Sequence, residues 1–171
     1  MDDAMIKMLK MLDACEDVEN AAAAIYHFYA DYFRSDQRVA ITWRMTALEE
    51  ENHARQVGMA KKMLKSISWV SIDAWRQVFS IQKHIHALLE RILKNPPSLE
   101  EALQTSIILE EKMDHLHMMN SIIVEEKSGN AMFVAMMKED QDHLMKLREM
   151  LTDFLNSRAE AETCRSADAF A

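Results

Sequence analysis

Apolar residues recur along this chain at alternating steps of three and four, the spacing that lines one face of an α-helix. The first such stretch runs from about Ala4 to Arg34, with Met5, Met8, Leu12, Cys15, Ala22, Tyr26, Tyr29 and Phe33 on one stripe. Ser35-Asp36 breaks it and offers an N-cap. A second stretch extends to about Lys65 on Trp43, Ala47, Ala54, Val57 and Leu64. After a junction from Ser66 to Ser71 that holds Trp69, a third stretch covers Ile72 to Lys94. Asn95-Pro96-Pro97 ends it, because proline cannot continue the hydrogen-bond ladder. Ser98 with Glu101 forms a capping box that starts a fourth helix, which Ser128-Gly129-Asn130 is expected to close in a turn. The fifth stretch, on Phe133, Met137, Leu144, Leu147, Leu151 and Phe154, reaches about Asn156. Residues 158–171 carry no apolar period and read as a flexible tail, leaving 1–157 as one helical domain. No strand-like alternation interrupts the pattern, so the expected class is all-α.

Acidic residues sit where these stripes predict apolar ones. Glu19 lies between Cys15 and Ala22, Glu50 between Ala47 and Ala54, and Asp140 between Met137 and Leu144. An ionised carboxylate in a core is costly unless it is paired or binds a metal. The exceptions also repeat. Glu19 precedes the pair Glu50/His53 by one helix, and Glu110 precedes the pair Asp140/His143 in the same way, at 31 and 30 positions. Within each pair the i, i+3 spacing puts carboxylate and imidazole on one face. Four such helices packed together would point four carboxylates and two imidazoles at a common centre, the donor set of a two-metal site in a helical bundle. The carboxylates carry four negative charges, which two divalent cations would neutralise. The small neighbours Ala22, Ala23, Ala47 and Ala54 leave room for them.

Composition narrows the remaining choices. A chain of 171 residues is enough for one domain with a substantial core, and only two Gly and two Pro interrupt its helix formers. The 15 Met read as pliable core packing. The formal charge of −8 and the lack of a long basic run argue against nucleic acid as a partner. Lys61-Lys62-Met63-Leu64-Lys65 reads as a solvated helix end. Cys15 and Cys164 form neither a disulfide framework nor a CxxC motif, and Cys15 falls on a buried stripe. The start has no basic n-region or apolar h-region, and no uncharged run is long enough for a membrane span. The expectation is a cytoplasmic protein that meets no membrane. No phosphate-binding glycine loop or nucleophile constellation is present.

The runs Glu19-Asn20-Ala21-Ala22-Ala23-Ala24-Ile25-Tyr26 and Ala47-Leu48-Glu49-Glu50-Glu51-Asn52-His53-Ala54 resemble the first two core helices of rubrerythrin-like, ferritin-like proteins. Ser98 through Lys112 resembles their third core helix and Lys138 to Leu151 their fourth, so the likeness spans the chain to about residue 156. It implies a ferritin-like four-helix bundle with an additional helix in the crossover between core helices two and three. It also implies two iron ions, with manganese or zinc as other occupants. Glu50 and Glu110 would bridge or chelate, Glu19 and Asp140 would be terminal, and His53 and His143 would each hold one metal. Tyr26 matches a family tyrosine beside the site, though an ordinary core tyrosine fits its position equally well. The implied activity is two-electron reduction of hydrogen peroxide or dioxygen coupled to Fe(II) oxidation, as a peroxidase or ferroxidase. Such an enzyme needs an external electron donor protein, because the chain lacks the paired CxxC motifs of a rubredoxin domain. A non-enzymatic helical scaffold or sensing module with a structural metal is the alternative.

Two further departures from the family lie in the second half. Asp140 is one methylene shorter than Glu, and His117 stands seven after Glu110, where the first half has Tyr26 seven after Glu19. The i, i+2 pairs His84/His86 and His115/His117 cannot chelate as units, and only His117 keeps an inward position open. Glu111 and Asp114 are an off-register carboxylate pair whose plainer reading is a solvated face. The apolar stripe of the crossover helix fits either a cover over the bundle or a homodimer seam.

Overall fold

A computed structural model describes residues 3–63, 72–123 and 127–168. The junction 66–71 with Trp69, together with Leu64 and Lys65, lies outside them. The described chain is all-helical, with α1 at Asp3–Tyr32, α2 at Gln37–Met63, α3 at Ile72–Lys94, α4 at Leu99–Ile123 and α5 at Lys127–Asp168.

The expected punctuation forms. Asp36 caps α2 by accepting the Val39 amide on Oδ1 at 3.1 Å. Ser98 and Glu101 close the capping box in both directions, with Ser98 N donating to Glu101 Oε2 at 2.9 Å and Glu101 N donating to Ser98 Oγ at 3.3 Å. Two boundaries differ. Ser128-Gly129-Asn130 lies in the first turn of α5 instead of closing α4, and Gly129 has no positive φ. Glycine permits a left-handed cap without requiring one, and near a helix end its entropic cost is small. The fifth helix also continues past Asn156 to Asp168. Arg158, Ala159, Glu160, Ala161 and Glu162 are good helix formers that need no apolar stripe. Arg158 Nη1 further donates to Glu100 Oε2 on α4 at 2.9 Å, and Arg158 Nε to Glu162 Oε1 at 3.2 Å.

α1 packs along α2, and α4 along α5, over most of their lengths. These two hairpins face each other across one interior. α3 lies outside it, mainly against α1 and more lightly against α4. Its buried positions Ala74, Val78, Ile85 and Ile92 form a single stripe, so this helix covers the bundle. Its polar side is tied to α1 by Gln82 and His86, which both reach Asp17. The core holds Met8, Met11, Leu12, Ile25, Tyr29, Trp43, Leu103, Met113, Leu116, Phe133 and Leu147. Burying each such side chain stabilises the fold by about 1.5–3 kcal/mol. Tyr29, Phe33 and Trp43 cluster with tilted rings at the α1–α2 end, Tyr29 and Trp43 centroids being 5.0 Å apart. The Trp43 indole donates across to Ser106 Oγ on α4 at 3.2 Å. No described helix is long and apolar enough to cross a membrane.

Candidate metal centre

All six residues expected as metal ligands are buried in the middle of the bundle: Glu19, Glu50, His53, Glu110 and Asp140 at 0% exposure, and His143 at 1%. Glu19 comes from α1, Glu50 and His53 from α2, Glu110 from α4, and Asp140 and His143 from α5. They meet because each belongs to the same stripe as the apolar residues flanking it, so burial of the stripe carries the acid inward. The cluster contains two groups whose donor atoms lie within 4.8 Å of one another. One is Glu19, His53 and His117, and the other is Glu50, Glu110, Asp140 and His143.

Both expected imidazoles are oriented alike. His53 turns Nδ1 to Glu50 Oε2 at 3.1 Å, and His143 turns Nδ1 to Glu110 Oε2 at 3.2 Å and Glu50 Oε1 at 3.3 Å. Their outer nitrogens are held by carboxylates from the opposite hairpin. His53 Nε2 meets Glu139 Oε2 at 2.6 Å, and His143 Nε2 meets Glu49 Oε2 at 2.6 Å. Each ring turns Nδ1 to the cluster, and with Nε2–H donating outward, release of the Nδ1 proton would give the tautomer a metal-binding histidine needs. Glu49 and Glu139 did not emerge from the sequence because a half-exposed acid on a charged helix is unremarkable. Their signal was the acid directly before each carboxylate-x-x-His, present as Glu49-Glu50 and Glu139-Asp140.

Tyr26 lies fully buried and donates its hydroxyl to Glu110 Oε1 at 2.5 Å. His117 is the seventh member, also fully buried, with Nε2 2.9 Å from Glu19 Oε1 and Nδ1 2.6 Å from Asp140 Oδ2. Its register, seven after Glu110 as Tyr26 is seven after Glu19, was the clue to its inward position. Glu111 pairs instead with Arg148 at 2.8 Å and Asp114 accepts from Gln141 at 3.2 Å, both on the outer face. His84, His86 and His115 are exposed and bond to Ser80, Asp17 and Gln77.

The electrostatics follow from packing acids and rings together in a dry interior. Burial alone would lower the three ring pKa values, but the carboxylates reverse this. Glu19 and Glu50 hold His53 up at about 12, Glu110 and Glu50 hold His143 at about 11, and Glu19 and Asp140 hold His117 at about 10. Burial and the neighbouring charge of Glu50 raise Glu110 to about 7. Burial likewise raises Glu19 and Asp140. Glu50 is lowered, because its bonds to His143 and His53 outweigh its burial. Three carboxylate oxygens, Glu19 Oε2, Glu50 Oε1 and Asp140 Oδ1, nevertheless make no well-aligned hydrogen bond among the described residues, although each lies 3.3–4.0 Å from a ring nitrogen. An orphaned buried carboxylate oxygen is rare and costly, and cations held in the two groups would satisfy these oxygens. The residues present therefore fit a metal centre. Scans of the chain against protein-family models, curated sequences and solved structures gave no match in any of the three comparisons.

Proposed function

We propose that this protein is a dimetal carboxylate protein of the rubrerythrin-like, ferritin-like kind, which couples Fe(II) oxidation to two-electron reduction of hydrogen peroxide or dioxygen. The observation that carries the reading is the pair of adjoining buried donor groups, which hold three carboxylate oxygens without an aligned hydrogen bond and two inward-facing Nδ1 atoms. Donors rich in oxygen with a few imidazoles suit iron or manganese better than softer metals. When bound, the metal pair would supply two electrons to the oxidant and be restored by an external electron donor protein.

The chain's own residues define the setting for that chemistry. Glu50 reaches both rings, 3.1 Å from His53 Nδ1 and 3.3 Å from His143 Nδ1, so its carboxylate is placed to serve two cations, whereas Glu110 faces His143 at 3.2 Å. Glu49 and Glu139 fix the ring tautomers. Tyr26 anchors one oxygen of Glu110 and so limits how that carboxylate can swing. Ala22, Ala23, Ala47 and Ala54, all buried, keep space at the centre, while Phe133 and Leu116 help exclude water.

Anaerobic addition of Fe(II) followed by exposure to peroxide or air tests this reading. Uptake of about two irons per chain with fast oxidation is expected, and Glu50→Ala should abolish binding of the pair. A Glu50→Ala protein that still holds both metals would sink the assignment. One observation favours a second reading. Three protonated rings come close to neutralising four carboxylates, as a purely structural charge cluster would. Under that reading the wild-type protein takes up iron slowly and substoichiometrically.

A further inference from the structure

We infer that His117 is itself a metal ligand, and that it makes the two metal positions chemically unequal. A nitrogen-rich position of Glu19, His53 and His117 stands beside an oxygen-rich one of Glu50, Glu110, Asp140 and His143. The inference rests on the dimetal reading above and specifies which cations the pair comprises.

His117 meets the geometric demands that His53 and His143 meet. Its ring is fully buried, and one nitrogen faces a cluster carboxylate, with Nε2 2.9 Å from Glu19 Oε1. The other nitrogen is clamped by a carboxylate from another helix, with Nδ1 2.6 Å from Asp140 Oδ2. This parallels the Glu139–His53 and Glu49–His143 clamps with the ring nitrogens exchanged, except that the clamping acid is a buried member of the neighbouring donor group. Glu19 Oε2, on the same carboxylate that Nε2 faces, has no hydrogen-bond partner among the described residues. The His53 and His117 rings meet edge to face, 5.6 Å apart at 86°.

The arrangement also connects the two sequence departures of the second half. Asp140 spends Oδ2 on the His117 ring and leaves Oδ1 without a hydrogen bond, 4.0 Å from His53 Nδ1. A Glu at this position would carry its carboxylate one methylene further, into the space held by the ring edge. The short acid and the extra imidazole therefore belong to a single construction. Two imidazoles with one carboxylate suit Fe(II) or Zn(II), whereas three carboxylates with one imidazole favour a harder cation such as Mn(II). Iron can fill both positions, and the ligand class that tells them apart is a mixed pair of divalent cations.

Two experiments test this. Co(II)-loaded protein is observed by proton NMR, where each directly bound imidazole with a clamped N–H gives one strongly shifted exchangeable signal. Wild type should show three such signals and His117→Gln two. Two signals in wild type, or no change in the variant, would overturn the inference. Uptake of fewer than two Co(II) per chain by wild type would sink the dimetal reading as well, so the two failures separate by stoichiometry. In the second experiment one equivalent of Zn(II) is added before Mn(II). The expected result is one of each per chain, an uncoupled Mn(II) spectrum, and a roughly 10–100-fold weaker first Zn(II) step in His117→Gln. Coupled dimanganese under these conditions would refute the nitrogen-rich position. His117→Tyr, which places the first half's residue in the second, serves if the Gln variant folds poorly, and it too should show two shifted signals.

Discussion

The α1–α2 hairpin and the α4–α5 hairpin build their shares of the centre in the same register but with different donors. Seven residues after the lone acid, Tyr26 of the first hairpin reaches across to Glu110, and His117 of the second reaches across to Glu19. The acid before each paired carboxylate also crosses over, Glu49 to His143 and Glu139 to His53. The centre is thus nearly two-fold symmetric, with exceptions at two positions: His for Tyr, and Asp for Glu. Helical register decides where a donor stands. The chemistry of the position can then be changed by one or two side chains without moving a helix.

That comparison can be broken most forcefully at its odd member. His117→Phe should destabilise the metal-free protein by about 3–5 kcal/mol, because Glu19 and Asp140 would lose their shared counter-charge. Chemical denaturation in the presence of chelator would measure it, and a loss below 1 kcal/mol would mean that the ring is not balancing those acids. The same charge balance gives the metal-free protein a characteristic pH profile. His117 is raised in the folded state from 6.5 to about 10, so its stabilising contribution is complete below about 6.5 and is lost as pH rises toward about 10. The still higher values of His143 and His53 extend the loss further. Melting temperature in chelator should therefore fall from pH 7 to 10, and a rise would show that the rings fold neutral.

At the matching position in the first hairpin the effect should be smaller. Tyr26→Phe removes one donor to Glu110 and should cost about 1–3 kcal/mol, with metal stoichiometry retained. A cost equal to that of His117→Phe would erase the distinction between the two halves. The outer clamps should be the most symmetric and the mildest: Glu49→Gln and Glu139→Gln each weaken metal binding by roughly 10–100-fold. Titration of both variants in parallel checks this, and a large inequality between them would show that the near two-fold symmetry does not extend beyond the ligands.

Much of this was legible in the spacing of the sequence. The stripes located five helices, and three acids interrupting them, Glu19, Glu50 and Asp140, marked the centre, because a residue in register with Leu and Met is buried with them. The repeat spacing then added Glu110, and the i, i+3 pairing added His53 and His143. Glu49 and Glu139 were harder to see, since their function depends on a partner helix and their half-exposure is ordinary for glutamate. His117 belongs to an i, i+2 pair that argues against chelation, and only the packed bundle shows it alone turning inward. Helix ends were the weakest point, at Gly129 and again beyond Asn156, where propensity and surface ion pairs outweighed the absence of an apolar period.

The two hairpins are each zipped along their own length, whereas α2–α5 contact and the buried cluster join one to the other. Each hairpin can form from contacts close in sequence, and the seam between them closes only by bringing distant parts of the chain together. A cation held by donors from both hairpins would act there as a cross-link, adding to the α3 cover and the Trp43–Ser106 bond that already hold the two units together. Metal loading would then be recorded as slower unfolding as well as greater stability, since the barrier to opening the seam would include the loss of those bonds. The centre that provides the chemistry would also be the rivet of the fold.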